Sequence, residues 1–353
     1  MAKRSRVEAG MTVGLDLGDK FSHFCVLDAS GETLEEGRVA TTRKGLLQRF
    51  GNLPSSRVAL EVGTHSPWIE RLLTGIGHEV LVANARKLRL IYHNESKSDR
   101  LDAENLARLA RVDPKLLHPI RHRDGESQEA MAVLRSRQVL VEARAKLVNH
   151  VRGAVKSFGS RIKSCSTASF HRQAADQIPE GLRPALPAVL EVIADLTRKI
   201  RRYDQQIERL AEQRYPQTSL LREVPGVGPL TALWFVLTIG DPHRFSRSRR
   251  VGAYLGLRPR RGQSGDDDPE LQITKTGDPE LRRLLVTSAH YILGPFGPDT
   301  DLRRWGLALA ARGRKSAKKR AVVAVARKLS VLLHALWLNA EEYEPLRNSE
   351  AAA

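Results

Sequence analysis

The stretch Met11–Asp28 reads MTVGLDLGDKFSHFCVLD, and it decides how the first part of the chain folds. Two apolar runs, Thr12–Leu17 and Phe24–Asp28, have the pattern of β-strands, and Gly18-Asp19-Lys20 between them is typical of a tight turn. A third strand is predicted at Glu32–Val39. The chain is therefore expected to begin with three consecutive strands of one sheet.

Helices and strands are expected to alternate after these three strands. Two short strands and three helices are predicted, at Arg57–Glu61, Glu79–Ala83, Thr41–Phe50, Pro67–Leu73 and Ser98–Arg111. Strands that first follow one another and then alternate with helices predict a mixed α/β sheet, which we assign to a domain over residues 11–125.

The middle of the chain, residues 126–215, is predicted to be a helical coiled-coil region. Its apolar residues recur in steps of four and three, which is a heptad seam, at Val189, Ile193, Leu196, Ile200, Tyr203, Ile207 and Leu210. A stretch rich in Pro and Gly, at 179–187, separates this helix from an earlier one near Met131–Phe158. We expect either an antiparallel hairpin within the chain or an arm that pairs with a second subunit.

Residues 216–345 are predicted to form a third, mostly helical domain. It opens with Pro225-Gly226-Val227-Gly228, which resembles the turn of a helix-hairpin-helix. Gly226 and Gly228 would let backbone N–H groups approach a nucleic-acid phosphate. The alternative is an ordinary tight turn between two helices.

The composition indicates a polyanionic partner. The formal net charge of the 353 residues is +18, and nucleic acid is the usual partner of such a surface, although a merely basic protein is the simpler alternative. Cys25 and Cys165 match no zinc spacing and fit a reducing cytoplasm. The apolar segment Ala321–Leu338 is interrupted by two basic residues and His334, so we predict a buried helix and no membrane span.

Four acidic residues in the first domain stand out. Asp16 lies inside an apolar strand, where a charge is costly to bury without a partner, and Glu61 ends another strand. Asp99 and Asp102 lie three residues apart at the start of a helix and therefore face the same side. Converging carboxylates repel one another unless cations bind, and oxygen ligands favour Mg²⁺ or Mn²⁺. Two such ions, about 4 Å apart, promote phosphoryl transfer.

Each acid also has a simpler explanation. Asp99 would cap its helix with Asp102 as a favourable first-turn acid, and Glu61 would face water. The strand that carries Asp16 also occurs in the actin and sugar-kinase ATPase superfamily, where the following turn holds phosphate. That superfamily needs a second, Asp-Gly-Gly-type loop downstream, and the sequence contains none.

Six segments, in this order, resemble the insertion-sequence one-ten family of transposases over about residues 11–338. They are GLDLGDK (14–20), ALEVG (59–63), KSDRLDAENLARL (97–109), VPGVGPLTALWFVLTIGDPHRF (224–245), VGAYLGLRPRRGQSG (251–265) and ITKTGDPELRRLLV (273–286). The resemblance implies a RuvC-like N-terminal domain with an RNase H fold, whose four catalytic, metal-binding acids fall on Asp16, Glu61, Asp99 and Asp102. It also implies a C-terminal domain with a nucleophilic Ser, which falls on Ser264.

The resemblance further implies cofactors and partners. These are two Mg²⁺ or Mn²⁺ ions, double-stranded donor and target DNA, a structured non-coding guide RNA, and dimers that pair into a synaptic tetramer. Ser264 would form a covalent link to DNA, working with the carboxylates of another subunit. The acidic run Asp266–Asp268 departs from what is expected beside a phosphate, and Ser246 and Ser248 are the next candidates for the nucleophile.

Basic residues lie before and after Ser264. They are expected to hold nucleic-acid phosphates, and they are Arg258, Arg260, Arg261, Arg312, Arg314, Lys315, Lys318, Lys319 and Arg320. A solvated basic face is the simpler alternative. Two other functions stay open at this point, namely a metal-dependent nuclease for junctions or RNA–DNA hybrids without a covalent Ser step, and a non-catalytic scaffold.

Overall fold

A computed structural model describes residues 10–85, 98–262, 271–313 and 316–347. The chain divides into two compact units, the first ending at Asp124 and the second beginning at Gly125. The predicted division into domains at 11–125, 126–215 and 216–345 stays a prediction.

The first unit contains a five-stranded mixed sheet. Its strands are β1 (Thr12–Asp16), β2 (Phe21–Leu27), β3 (Thr33–Ala40), β4 (Arg57–Glu61) and β5 (Glu79–Ala83), in the order β3-β2-β1-β4-β5. β1 pairs antiparallel with β2 and parallel with β4, while β3 and β5 form the edges. The predicted mixed α/β sheet is therefore confirmed, and it is consistent with an RNase H-like fold.

Helices cover both faces of this sheet. They are α1 (Arg43–Phe50), α2 (Ser66–Gly75) and α3 (Asp99–Val112). Successive residues of a strand point to opposite faces. Val13 and Leu15 of β1 therefore pack in the core that includes buried residues of α1 and α2, whereas Gly14 faces α3. β1 is consequently buried on both sides, which explains its nearly continuous apolar sequence.

The second unit begins with a long helical hairpin. Its arms are α4 (Gly125–Ser157) and α6 (Pro187–Arg214), and the short helix α5 (Phe170–Ala175) lies in the connection. Contacts between Arg137 and Asp204 and between Arg144 and Thr197 have the descending register of an antiparallel pair. Ile193, Ile200 and Ile207 of the predicted seam are buried within the chain, so the structure favours the hairpin over a free pairing arm.

The remaining helices of the second unit form a core around α8 that also includes buried residues of α4 and α6. They are α7 (Thr218–Arg222), α8 (Pro229–Ile239), α9 (Arg249–Tyr254), α10 (Pro279–Leu293), α11 (Asp301–Ala310) and α12 (Ala317–Asn339). By length and composition alone α12 is apolar enough to cross a membrane, so its charged residues do not by themselves exclude a membrane span. Ten of its residues are nevertheless buried, as in the core helix that the sequence predicted.

Candidate functional site

Asp16 and Glu61 end two neighbouring parallel strands. In the β1–β4 register Leu15 pairs with Leu60, so the next residue of each strand places the two acids at the same edge of the sheet. Both side chains are half-buried, although Asp16 follows a run of four fully buried residues. The carboxylate at the end of β1 therefore lies at the border of the apolar core, where water reaches it only in part.

Gly14 allows α3 to pack directly on β1. A Cβ atom built on Gly14 would lie 1.9 Å from the carbonyl oxygen of Ala103 and 2.6 Å from the amide nitrogen of Ala107. Any larger residue would force the helix away from the strand. This close approach holds the first turn of α3, with Asp99 and Asp102, over the end of β1.

Ser98, and not Asp99, caps this helix. Its side-chain oxygen accepts a hydrogen bond from the amide of Leu101 at 3.3 Å, and its backbone is extended as an N-cap residue requires. The simpler explanation, in which Asp99 is the cap, is therefore wrong. The Asp99 carboxylate is exposed and the Asp102 side chain is half-buried.

The electrostatics of Asp16 connect the four acids. Burial first, and then the negative charges of Asp99, Asp102 and Glu61, raise the pKa of Asp16 to about 6, while His23 opposes the shift. Charges act on one another in this way only when they share one poorly screened region. Three separate elements, β1, β4 and α3, thus bring their acids to a single edge of the sheet.

Two histidines that were not predicted contact acidic residues of the first unit, and one of them, His23, lies beside the four acids. His23 is the register partner of Asp16 in β2, and its Nδ1 lies 3.6 Å from the Asp99 carboxylate. His65, which begins the turn into α2, places Nε2 3.4 Å from the carboxylate of Asp19. The second strand was predicted to begin at Phe24, whereas β2 begins at Phe21, and the correct register would have placed His23 opposite Asp16.

The glycine turn of the second unit lies between α7 and α8. Gly226 has a φ of +83°, which disfavours other residues, and a Cβ there would also meet the ring of Tyr291 at 3.0 Å. Gly228 is the N-cap residue of α8, and a Cβ on it would meet nothing within 4 Å. The turn is therefore a tight one between two helices, and both its helix-hairpin-helix character and its phosphate binding stay predictions.

Two regions of the chain match models of known protein families. A family model described as a transposase, of the DEDD type and the IS110 group, matches residues 13–159, and the model of the IS116/IS110/IS902 transposase family matches residues 218–300. The chain belongs to the IS110 family of transposases. As a member, it is an insertion-sequence transposase, an enzyme that cuts and recombines DNA.

Several relatives resemble the transposase over most of its length. It is 28% identical to the transposase of insertion sequence element IS1111A from Coxiella burnetii, over 94% of this chain and 90% of that protein. It is 29% identical to the transposase of element IS1328 from Yersinia enterocolitica, over 78% and 82% of the two chains. A pilin gene-inverting protein of Moraxella lacunata is 30% identical over 34% of this chain and 36% of its own.

The segment around the predicted nucleophile is described only at its two ends. Pro259 forms an antiparallel bridge with Ile273, and the amide of Arg260 donates to the carbonyl of Gln272 at 2.9 Å. Arg258, Arg260 and Arg261 are exposed at the first end. Ser264 lies outside the described residues, as do Asp266–Asp268, so its predicted role is untested.

The other predicted nucleic-acid residues are at the surface of the transposase where the structure describes them. Arg312, Lys318, Lys319 and Arg320 are exposed, and Arg314 and Lys315 lie outside the described residues. Their binding role stays a prediction. Ser248, a second candidate nucleophile, forms a hydrogen bond with Nδ1 of the buried His334 at 3.0 Å, and its role as a nucleophile is untested.

Proposed function

We propose that this transposase cuts and rejoins DNA by metal-dependent phosphoryl transfer at Asp16, Glu61, Asp99 and Asp102, with Ser264 as a nucleophile that links covalently to DNA. The observation that carries the proposal is the position of Asp16 beside Glu61 at one edge of the sheet and opposite His23, whose Nδ1 lies 3.6 Å from Asp99. Burial first, and then the charges of the other three acids, raise the pKa of Asp16 to about 6. Mutual repulsion of this kind costs stability unless the site serves to bind cations.

The donor set fits a hard divalent cation. All four side chains offer carboxylate oxygens, which Mg²⁺ and Mn²⁺ prefer, so Asp16, Glu61, Asp99 and Asp102 would hold the ions. Two bound ions would activate the attacking oxygen and stabilise the leaving oxygen. Within the described ranges, no three Asp, Glu, His or Cys side chains stand at ligating distance from one another.

Ser264 supplies the covalent step in this proposal. Its hydroxyl loses a proton to water, its oxygen bonds to a backbone phosphorus, and the deoxyribose oxygen leaves and takes up a proton. Reversal with a different deoxyribose oxygen joins new strands without an external energy source. Arg258, Arg260 and Arg261 would neutralise the phosphate oxygens during both steps.

The proposed partners are DNA, a guide RNA and further copies of the chain. Family membership supports double-stranded DNA as the substrate, and we add a structured non-coding guide RNA from the element, which would select donor and target sequences. We also propose that dimers pair into a tetramer on DNA, because joining two duplexes requires several active sites.

Reconstitution tests the function directly. The purified chain is incubated with DNA that carries the ends of its element, a target duplex and the adjacent non-coding transcript. We expect cut and rejoined strands with Mg²⁺ or Mn²⁺, and none when EDTA removes the metal or when the transcript is omitted. Recombination in EDTA would contradict the proposed need for a metal, and recombination without the transcript would contradict the proposed need for a guide RNA.

A further inference from the structure

The distal half of the helical hairpin is strongly basic. Between residues 144 and 203, Lys and Arg number twelve and Asp and Glu number four. A basic helix surface is often no more than a solvated face. Here, however, the fold gathers part of this charge around one half-buried side chain.

His171, Arg172, Arg198 and Arg201 form what we call the arginine cluster. The first two belong to α5, and the other two belong to α6, on which α5 packs. Phe170 anchors α5 by being fully buried, so the cluster stands on a fixed base. All three arginines are exposed.

The cluster has little negative charge to balance it. Asp195 is the acid that contacts it, and this single carboxylate lies 3.2 Å from Arg198 and 2.8 Å from Lys199. In the part of the chain that the structure describes, Arg172 and Arg201 have no carboxylate within ion-pair distance. Like charges held together in this way repel one another unless an anion binds.

His171 adds a polar atom that points to a ligand. Its Nδ1 is buried and, among the described residues, has no hydrogen-bond partner, which is unusual for a buried ring nitrogen. Burial and then the charges of Arg172, Arg198 and Arg201 lower the pKa of this histidine, so the ring is neutral at neutral pH. A neutral ring with its proton on Nδ1 is a hydrogen-bond donor.

We propose that the arginine cluster binds a backbone phosphate of the DNA on which the transposase acts. Arg172 and Arg201 would neutralise the phosphate with their guanidinium groups, and Arg198 would contact both Asp195 and the phosphate. The ring of His171 would turn so that its Nδ1–H donates a hydrogen bond to the phosphate. The inference rests on the proposed action on DNA and assigns a binding role to the hairpin beyond holding the chain together.

Salt-dependent DNA binding tests this site. Binding of a fluorescent duplex with one element end to the full chain is measured by anisotropy over a range of salt concentrations, for wild type and for R172Q/R201Q. We expect about 10-fold weaker binding and a salt slope smaller by about 1, because one phosphate contact is lost. R172K/R201K, which keeps both charges, should retain the wild-type slope.

A charge-matched control separates a site from diffuse attraction. R183Q/R209Q also removes two arginines from the hairpin and its connection, but Arg183 is bound to Glu180 at 3.2 Å and neither residue belongs to the cluster. Equal changes of slope in the two double variants would overturn the proposal. A loss seen only with an RNA duplex of the same sequence would overturn DNA as the ligand. Strand cutting by the wild type is unaffected by either result, so a failure here is distinct from a failure of the proposed function.

Discussion

Replacing Asp16 with Asn is expected to reduce DNA strand cleavage by about 10³-fold or more, while the chain still folds. Asp16 is half-buried and lies close enough to Asp99, Asp102 and Glu61 for their charges to act on it, so its loss removes one of the four proposed metal ligands. Asn is nearly isosteric and tolerates the same half-buried position. Cleavage is measured with labelled element ends at saturating Mg²⁺.

The matched control for this substitution is Glu104→Gln. Glu104 lies on α3 close to the acids, but its carboxylate pairs with Arg108 at 2.7 Å one turn further along. Such a partly exposed pair contributes little to stability, so this variant should cleave DNA like wild type. Wild-type cleavage by the Asp16→Asn variant would instead favour the scaffold function and remove the four acids from the chemistry.

Replacing Ser264 with Ala is expected to abolish the covalent protein–DNA adduct and to reduce strand joining by about 10⁴-fold. The reason is chemical, since Ala has no oxygen that can bond to phosphorus. The adduct is detected after denaturation as labelled DNA that migrates with the protein. Ser246→Ala, at an exposed position before α9, serves as the control and should keep the adduct.

The two outcomes of the Ser264 experiment separate the remaining functions. An adduct that persists in the Ser264→Ala variant would show that another residue is the nucleophile. Full cleavage without any adduct in either protein, with free hydroxyls at the cut ends, would favour the metal-dependent nuclease that uses the carboxylates alone.

Much of the first unit could be predicted from local sequence because its periodicity is simple. The strands Arg57–Glu61 and Glu79–Ala83 match the prediction residue for residue, because an apolar run bounded by polar residues shows where a strand begins and ends. The mixed α/β sheet followed from three consecutive strands and then alternation, but the order of its strands was not predicted. Gly14 could not be interpreted in advance, because its meaning depends on a helix almost 90 residues away packing against it.

The surroundings of the site were harder to predict because they depend on register and on side-chain direction. β2 begins at Phe21, three residues earlier than predicted, and this extension is what brings His23 opposite Asp16. Ser and Asp are both common N-cap residues, so the sequence could not decide between Ser98 and Asp99. The backbone geometry shows that Ser98 is the cap. The arginine cluster could not be predicted, because α5 was not predicted and its packing on α6 was therefore unknown.

The central claim is that the four acids form one divalent-metal site, and the thermal stability of wild type and Asp16→Asn, with and without Mn²⁺, tests it most directly. The folded-state pKa of Asp16 is raised from 3.8 to about 6, so its ionised form opposes folding, and stability is lost as the pH rises between these values. At about pH 8 without metal, the variant should therefore be more stable, by roughly 1–2 kcal/mol after allowing for partial exposure. Excess Mn²⁺, at about 100 times its Kd, should stabilise wild type by about 2.7 kcal/mol and the variant far less, which reverses their order of Tm. Equal stabilisation of both proteins by Mn²⁺ would contradict the account.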